Sequence, residues 1–146
     1  MRISVILSRY PWPLEKGDKL RAYHFIRALS ASHEIQLFTL SENEITRDMA
    51  DALRPYCNSV INYRITRGQV VKGVIRSLFT GKPLQVGYFY HPKIAREIRQ
   101  NIRNNDPDVV FCQLIRTTEY AMNLSVASAV DLQDSFSLNM YRRVEK

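Results

Sequence analysis

Three short groups of polar residues in this sequence have the chemistry to bind a phosphorylated ligand or to move a proton. Each follows an apolar segment that has the length of a buried strand. Lysine and arginine attract phosphates, and a carboxylate beside a bound hydroxyl group can accept its proton. The groups are Lys16, Gly17 and Arg21 after the first segment, Gln113 and Arg116 after a later one, and Gln133 and Asp134 after the last.

The first group lies in a loop of distinctive composition, residues 8–21. Two prolines flank Trp12, and Gly17 followed by Asp18 marks a turn. We expect a helix to begin there with Asp18 as its N-cap, and its free amides and dipole favour an anion. The segment has neither the dinucleotide-binding fingerprint nor the Walker spacing, so a proline-stiffened loop with ordinary capping is the alternative.

The other two groups have structural alternatives as well. Gln113 and Arg116 either contact a substrate or cap the helix that follows them. Asp134 follows the last predicted strand, in position to act as a general base, but aspartate also caps helices at such places. The residue types alone leave both alternatives open.

The hydrophobic pattern predicts a scaffold that brings these groups to one edge. Apolar, β-branched runs alternate with segments of helical periodicity along the chain. The predicted strands are residues 2–7, 33–39, 58–65, 108–112 and 126–132, and the predicted helices are residues 19–31, 45–56, 69–79, 91–104 and 117–124. This alternation predicts an α/β fold: one Rossmann-like domain over residues 1–146, with a doubly wound sheet of about five parallel strands.

The predicted helix at residues 69–79 has an apolar side and a basic side. A helix that lies in a membrane interface shows this pattern, and so does a helix packed on a sheet. We expect packing on the sheet. The apolar residues are Val70, Val71, Val74, Ile75 and Leu78, and the basic ones are Lys72 and Arg76.

Positive charge is concentrated between Arg64 and Arg103. The chain has a formal net charge of +7, and nine basic residues with one acid give this segment +8 in forty positions. The remaining 106 residues therefore sum to about −1. Such a field attracts the phosphates of nucleic acid, of anionic lipid or of a phosphorylated substrate, and charge alone does not select among them.

The composition excludes several classes of protein. A chain with 45% hydrophobic and 24% charged residues is not intrinsically disordered, collagen-like or a disulfide scaffold. Cys57 and Cys112 lack C-x-x-C spacing and nearby paired histidines, so we expect buried free thiols and no metal site. No apolar run is long enough to span a membrane and no secretory leader is evident, so we expect a cytoplasmic protein.

Several segments resemble the N-terminal domain of glycosyltransferase family 4 proteins, which have the GT-B fold. Residues 9–13 (Arg-Tyr-Pro-Trp-Pro) and 16–21 (Lys-Gly-Asp-Lys-Leu-Arg) are similar to the proline pair and lysine-glycine segment before the first helix of that family. The likeness extends along the whole chain. The later segments, which resemble the branch associated with exopolysaccharide and exosortase gene systems, are residues 81–84, 88–90, 108–111 and 130–135.

The resemblance implies a two-domain enzyme of polysaccharide biosynthesis. It would transfer a hexose from a nucleotide-sugar donor to a saccharide or lipid-linked acceptor, with no metal ion or other cofactor required. In the family the N-terminal domain mostly binds acceptor, and the C-terminal domain holds most of the donor contacts. The chain resembles only the former, so we expect the truncated N-terminal half of such an enzyme, inactive without the missing C-terminal donor domain.

The same resemblance implies roles for the polar groups. Lys16, Gly17 and Arg21 match the glycine-bearing loop that approaches the donor phosphates in closed family members. Asp134 falls near the position where many members place a catalytic base, often histidine, and Gln133 is the competing alignment. The expected substrate contacts are Gln113, Arg116 and Gln133.

The basic segment from Arg64 to Arg103 then suits an anionic membrane surface or a lipid-pyrophosphate acceptor, at the inner face of the membrane. The rival function is a non-enzymatic basic module that binds nucleic acid or an anionic membrane surface. Nucleic acid is not favoured, because most aromatic residues of the segment are consecutive, at positions 88–90, and do not form a repeating platform for bases.

Overall fold

The computed structural model describes residues 1–81 and 83–132, which form alternating strands and helices. Gln133 and Asp134 lie outside the described residues. The strands are β1 (Arg2–Leu7), β2 (Glu34–Ser41), β3 (Ser59–Arg64), β4 (Val109–Gln113) and β5 (Ala127–Asp131). The helices are α1 (Gly17–Ser30), α2 (Arg47–Leu53), α3 (Arg67–Thr80), α4 (Leu84–Phe89), α5 (Pro92–Asn105) and α6 (Ile115–Ala121).

The five strands form one parallel sheet in the order β3-β2-β1-β4-β5. Ile3 of β1 lies opposite Ile35 of β2 on one side and opposite Val109 of β4 on the other. The order therefore reverses between β1 and β4, which is the topological switch point of a doubly wound sheet. The predicted Rossmann-like α/β fold is confirmed.

Helices cover both faces of the sheet, because side chains along each strand alternate between the faces. On one face, Ile3, Val5 and Leu7 of β1 are buried with Ala22 and Ile26 of α1. On the other face, Ile6 joins a buried cluster with Ile94, Ile98 and Ile102 of α5 and Tyr120 of α6. The spacing of four between the α5 isoleucines, seen in the sequence, is the buried stripe of that helix.

The start of α1 differs from the prediction. Its N-cap is Lys16, which makes no side-chain capping bond, and Asp18 lies inside the first turn. Asp18 is therefore not the N-cap. Its carboxylate instead accepts hydrogen bonds from Arg9 and Arg116, at 3.2 and 3.3 Å. Hydrogen bonds between two charged groups are stronger than the bond to a backbone amide that an N-cap would make.

The packing of α3 also differs from the prediction. Ser77 is buried and Val70 packs partly against the core, but Val71, Ile75 and Leu78 are exposed. The apolar side of this helix therefore does not pack on the sheet. The reason is a close backbone contact with α4, which turns the glycine and serine side of α3 inward.

The short helix α4 was not predicted. It has only six residues and includes a glycine, so it is too short to show a helical period. Its first turn is closed by the Pro83 carbonyl, which accepts hydrogen bonds from the amides of Val86 and Gly87 at 2.9 and 3.2 Å. Tertiary contacts with α3, rather than local preference, hold this segment in helical form.

Candidate active site

A cleft of about 350 Å³ lies outside the carboxyl ends of β1 and β2 and is closed on one side by α4. The loop after β1 provides Arg9 and Trp12, and the first turns of α1 provide Lys16 and Lys19. This is the edge where α/β sheets bind ligands, because the strand ends and helix N-termini converge there. The cleft brings polar side chains from the loop after β1, the end of β2 and the start of α1 into one concavity.

One wall of the cleft is cationic. Lys16 is exposed at the start of α1, and Lys19 reaches the carboxylate of Glu15 with 2.9 Å between Nζ and Oε1. That lysine side chain is largely buried while Glu15 is exposed. Hydrogen bonding to Lys19, followed by its charge, lowers the pKa of Glu15. Together with Arg9, the two lysines place more positive than negative charge on this wall, which favours an anionic ligand.

The opposite wall is aromatic and polar. The Tyr88 hydroxyl donates a hydrogen bond to the Glu42 carboxylate, and this bond raises the pKa of Tyr88. Ser41 and Asn43 line the same wall. Carboxylate, hydroxyl and amide groups beside an aromatic ring can hold the hydroxyl groups and apolar faces of a sugar.

Tyr10 forms part of the floor. Its hydroxyl donates to the Met49 carbonyl at 3.1 Å, and burial raises its pKa to about 12. At neutral pH this phenol is therefore protonated, and its hydrogen bond ties the loop after β1 to α2.

A buried polar network fills the switch point between β1 and β4. The Gln113 side-chain amide donates to the backbone carbonyl of Asp18 at 3.0 Å, and Arg116 reaches the Asp18 carboxylate at 3.3 Å. The Arg116 guanidinium also lies over the ring of Phe89, 4.8 Å from its centroid. Burial, followed by the charge of Arg9, lowers the pKa of Arg116, and the Asp18 carboxylate opposes this shift.

The predicted phosphate-binding residues are divided by the fold. Lys16 lines the cleft, and Gly17 is exposed as the first residue of α1. Arg21 lies one turn further along and makes a two-pronged contact with Asp131 at the end of β5, with distances of 2.8 and 3.2 Å. Arg21 therefore ties α1 to β5 in this structure, and its role in phosphate binding stays a prediction.

The predicted substrate contacts Gln113 and Arg116 lie together beneath the loop that begins α1. In this conformation they hold the first turn of α1 against the end of β4. They do not cap α6, whose N-cap is Leu114 with no side-chain capping bond. Asp134 and Gln133, the predicted base and its neighbour, lie outside the described residues.

Glu42 and Tyr88 are cleft residues that the sequence reasoning missed. The signal for Glu42 was present, because β2 is parallel to β1 and its carboxyl end must lie at the same edge. No comparable signal marks Tyr88, since the position of α4 follows from its packing on α3.

Both cysteines are free thiols. Cys112 is buried and Cys57 is partly buried. Burial raises the pKa of Cys57 to about 12 and that of Cys112 to about 11, so neither is a reactive thiolate at neutral pH. In residues 1–81 and 83–132, no three His, Cys, Asp or Glu side chains are grouped to hold a metal ion. Across the same residues, no helix has the length and apolar character needed to cross a bilayer.

No protein-family model matches this chain, and no curated protein matches it.

Tyr120 supports the floor of the cleft from α6. Its buried hydroxyl donates to the Phe89 carbonyl and accepts from the backbone amide of His91 at 3.2 Å. We expect Tyr120→Phe to lower the free energy of unfolding by about 2 kcal/mol, because two buried backbone groups lose their partner. Chemical denaturation measures this change. A loss equal to that of Tyr88→Phe, whose partner Glu42 is exposed, would contradict the assignment.

His91 makes stability depend on pH. It is buried, its Nε2 has no hydrogen-bond partner among the described residues, and burial lowers its pKa from the usual 6.5. Below about pH 6.5 the unfolded chain therefore binds a proton that the folded chain excludes, so stability falls as the pH falls. Denaturation curves at a series of pH values should show this loss, and His91→Leu should reduce it. A control substitution, His24→Gln on the exposed side of α1, should leave the slope unchanged.

Proposed function

We propose that this chain is the acceptor-side, N-terminal domain of a nucleotide-sugar-dependent glycosyltransferase. It would act in polysaccharide biosynthesis and transfer a hexose to a saccharide or lipid-linked acceptor. The observation that carries the proposal is the cleft at the carboxyl edge of β1 and β2. Its cationic wall suits a phosphate, and its aromatic and hydroxyl-binding wall suits a sugar.

In this proposal the cleft binds the acceptor, and Lys16 and Gly17 at the start of α1 face the phosphates of the donor. A new bond forms between the acceptor oxygen and the anomeric carbon of the donor sugar. The bond from that carbon to the phosphate oxygen breaks, and the nucleoside diphosphate leaves with the electron pair. Asp134 is the proposed base that takes the acceptor hydroxyl proton, and lysine together with the free amides of α1 stabilises the developing pyrophosphate charge.

The proposal includes a second, donor-binding domain, because the family that the sequence resembles holds the nucleotide sugar mostly there. Gln113, Arg116 and Gln133 are the proposed substrate contacts of this domain. Gln113 and Arg116 both hold the first turn of α1. They would therefore act on the substrate by positioning that turn. The enzyme would work in the cytoplasm, peripheral to the inner face of the membrane.

A non-enzymatic module that binds an anionic membrane surface is the second candidate. The exposed apolar and basic face of α3 favours it over nucleic-acid binding. Phe89 is buried and Tyr88 lies in the cleft, so these aromatic rings do not form an exposed platform on which bases would stack.

Sugar transfer by the complete gene product tests the proposal. The protein is incubated with a panel of UDP- and GDP-hexoses and with saccharide and prenyl-pyrophosphate-linked acceptors, and Asp134→Asn is assayed beside it. We expect transfer by the complete protein and none by the 146-residue chain alone. Loss of the base should lower kcat by about a hundredfold or more while leaving donor KM nearly unchanged.

Two results would overturn the proposal. One is that neither transfer nor hydrolysis of any nucleotide sugar is detected with a folded complete protein. The other is full activity in the double variant Asp134→Asn with Lys16→Ala. That result would show that neither the proposed base nor the proposed phosphate contact is needed for transfer. Vesicle binding without any nucleotide-sugar chemistry would favour the second candidate.

A further inference from the structure

We infer that the outward face of α3 docks on a bilayer that contains anionic lipid, with its apolar side chains in the interface and its basic side chains on the headgroups. The inference deepens the membrane part of the proposed function and rests on it. It assigns the contact to one helix rather than to the basic segment as a whole.

The outward face of α3 is apolar. Val71, Ile75, Leu78 and Phe79 are spaced so that they cover one arc of a helix, and all four are exposed. Phe79 is the most exposed of them, at 86%. Large apolar side chains are common singly on a surface, but four on one helical face form a patch of the kind that marks a binding surface.

Only basic charges border this arc. On a helical projection, Arg67 lies at one edge, and Lys72 followed by Arg76 lies at the other. The helix contains no acidic residue. An apolar arc between two cationic edges is the pattern of helices that lie in the plane of an anionic membrane, because the charges reach the headgroups while the apolar side chains enter the acyl boundary.

The fold holds this face outward. The opposite side of α3 rests on α4, where the backbones approach so closely that a Cβ on Gly73 would lie 2.1 Å from the Gly87 carbonyl oxygen. Ser77, on the same inward side, is buried. The apolar residues of the outward face take no part in this packing, so contacts within residues 1–81 and 83–132 do not account for them.

A bilayer fits this face better than a second protein surface does. A convex helix with cationic borders complements a continuous anionic plane, whereas a matching protein would need an acidic rim around an apolar groove.

Sedimentation of the protein with large vesicles tests the inference. One set of vesicles is phosphatidylcholine alone, and the other contains about 30% phosphatidylglycerol. We expect saturable binding to the anionic vesicles and much weaker binding to the neutral ones. The double variant Ile75→Ser with Phe79→Ser should weaken that binding by at least about tenfold, because both side chains contribute buried apolar area.

The matched control is Ile115→Ser with Met122→Ser, which removes two apolar side chains of 52% and 50% exposure from another surface. This control should bind anionic vesicles as the unchanged protein does. Lys72→Glu should weaken binding by about tenfold, since it removes one attractive charge and adds a repulsive one. Circular dichroism checks that every variant is folded.

Three results would overturn the inference. Equal binding to neutral and anionic vesicles would remove the role of the basic borders. Salt-sensitive binding to anionic vesicles that the α3 double variant retains would leave the proposed membrane location intact and would assign it to other basic residues. Absence of vesicle binding, with a dimer that the double variant converts to monomer, would make this face a contact between copies of the chain.

Discussion

Alanine at Gly73 is expected to lower the free energy of unfolding by about 3 kcal/mol, although alanine is the better helix former. Its Cβ would lie 2.1 Å from the Gly87 carbonyl oxygen and 3.2 Å from the carbonyl carbon. Both are backbone atoms, so no side-chain rotation relieves the contact and α3 must move away from α4. Thermal or chemical denaturation measures the effect.

Gly68 provides the matched control on the same helix. A Cβ there meets no atom within 4 Å, so Gly68→Ala should leave stability unchanged or raise it by about 0.5 kcal/mol. If the two alanine variants are equally stable, the close contact between α3 and α4 is wrong.

Gly73→Ala should also weaken vesicle binding, because α3 would no longer be fixed with its apolar face outward.

Removal of the Asp18 carboxylate is the second large expected effect. Asp18→Ala should lower the free energy of unfolding by about 3 kcal/mol, since it leaves the Arg116 guanidinium without its anionic partner in a site that is mostly closed to water. The side chains of Asp18 and Arg116 are only 15% and 14% exposed. The freed guanidinium of Arg9 would add positive charge to the cleft.

An exposed aspartate in the first turn of another helix serves as control. Asp48→Ala in α2 removes the same charge from an equivalent position and should cost about 0.5 kcal/mol, the usual effect of a carboxylate on a helix dipole. Equal losses in the two variants would show that Asp18 acts only on the dipole of α1. The network at the switch point would then have no part in stability.

The sheet was predictable because its signals are local. Apolar runs of strand length, separated by helical periods, identify the five parallel strands that the structure shows, within one or two residues at most ends. The buried isoleucines of α5 were visible for the same reason, since their spacing repeats once per turn.

The errors arise where contacts between distant residues decide. Asp18 has the sequence context of an N-cap, but its guanidinium partners come from residues 9 and 116. The apolar side of α3 has the period of a packed helix, but the glycine contact with α4 turns that side toward solvent. Arg116 is far from Asp18 in the sequence, and Gly87 is in a different helix from Gly73.

The candidate site was predictable only in part. Lys16 could be located because it precedes the first helix of a βαβ unit, and such helix starts converge on the ligand edge. Tyr88 could not, because it reaches the cleft through the placement of a short helix that has no period of its own.

The most direct test of the central claim uses Trp12, the only tryptophan of the chain, which lines the cleft. The protein is titrated with a short prenyl-pyrophosphate-linked sugar while Trp12 fluorescence is recorded. We predict a saturable change, with affinity at least about tenfold weaker in Lys16→Ala with Lys19→Ala because two positive charges of the cationic wall are lost. Lys93→Ala on α5, an exposed lysine outside the cleft, should bind normally. No saturable change, or equal affinity in the double variant, would contradict the assignment of this cleft as the substrate site.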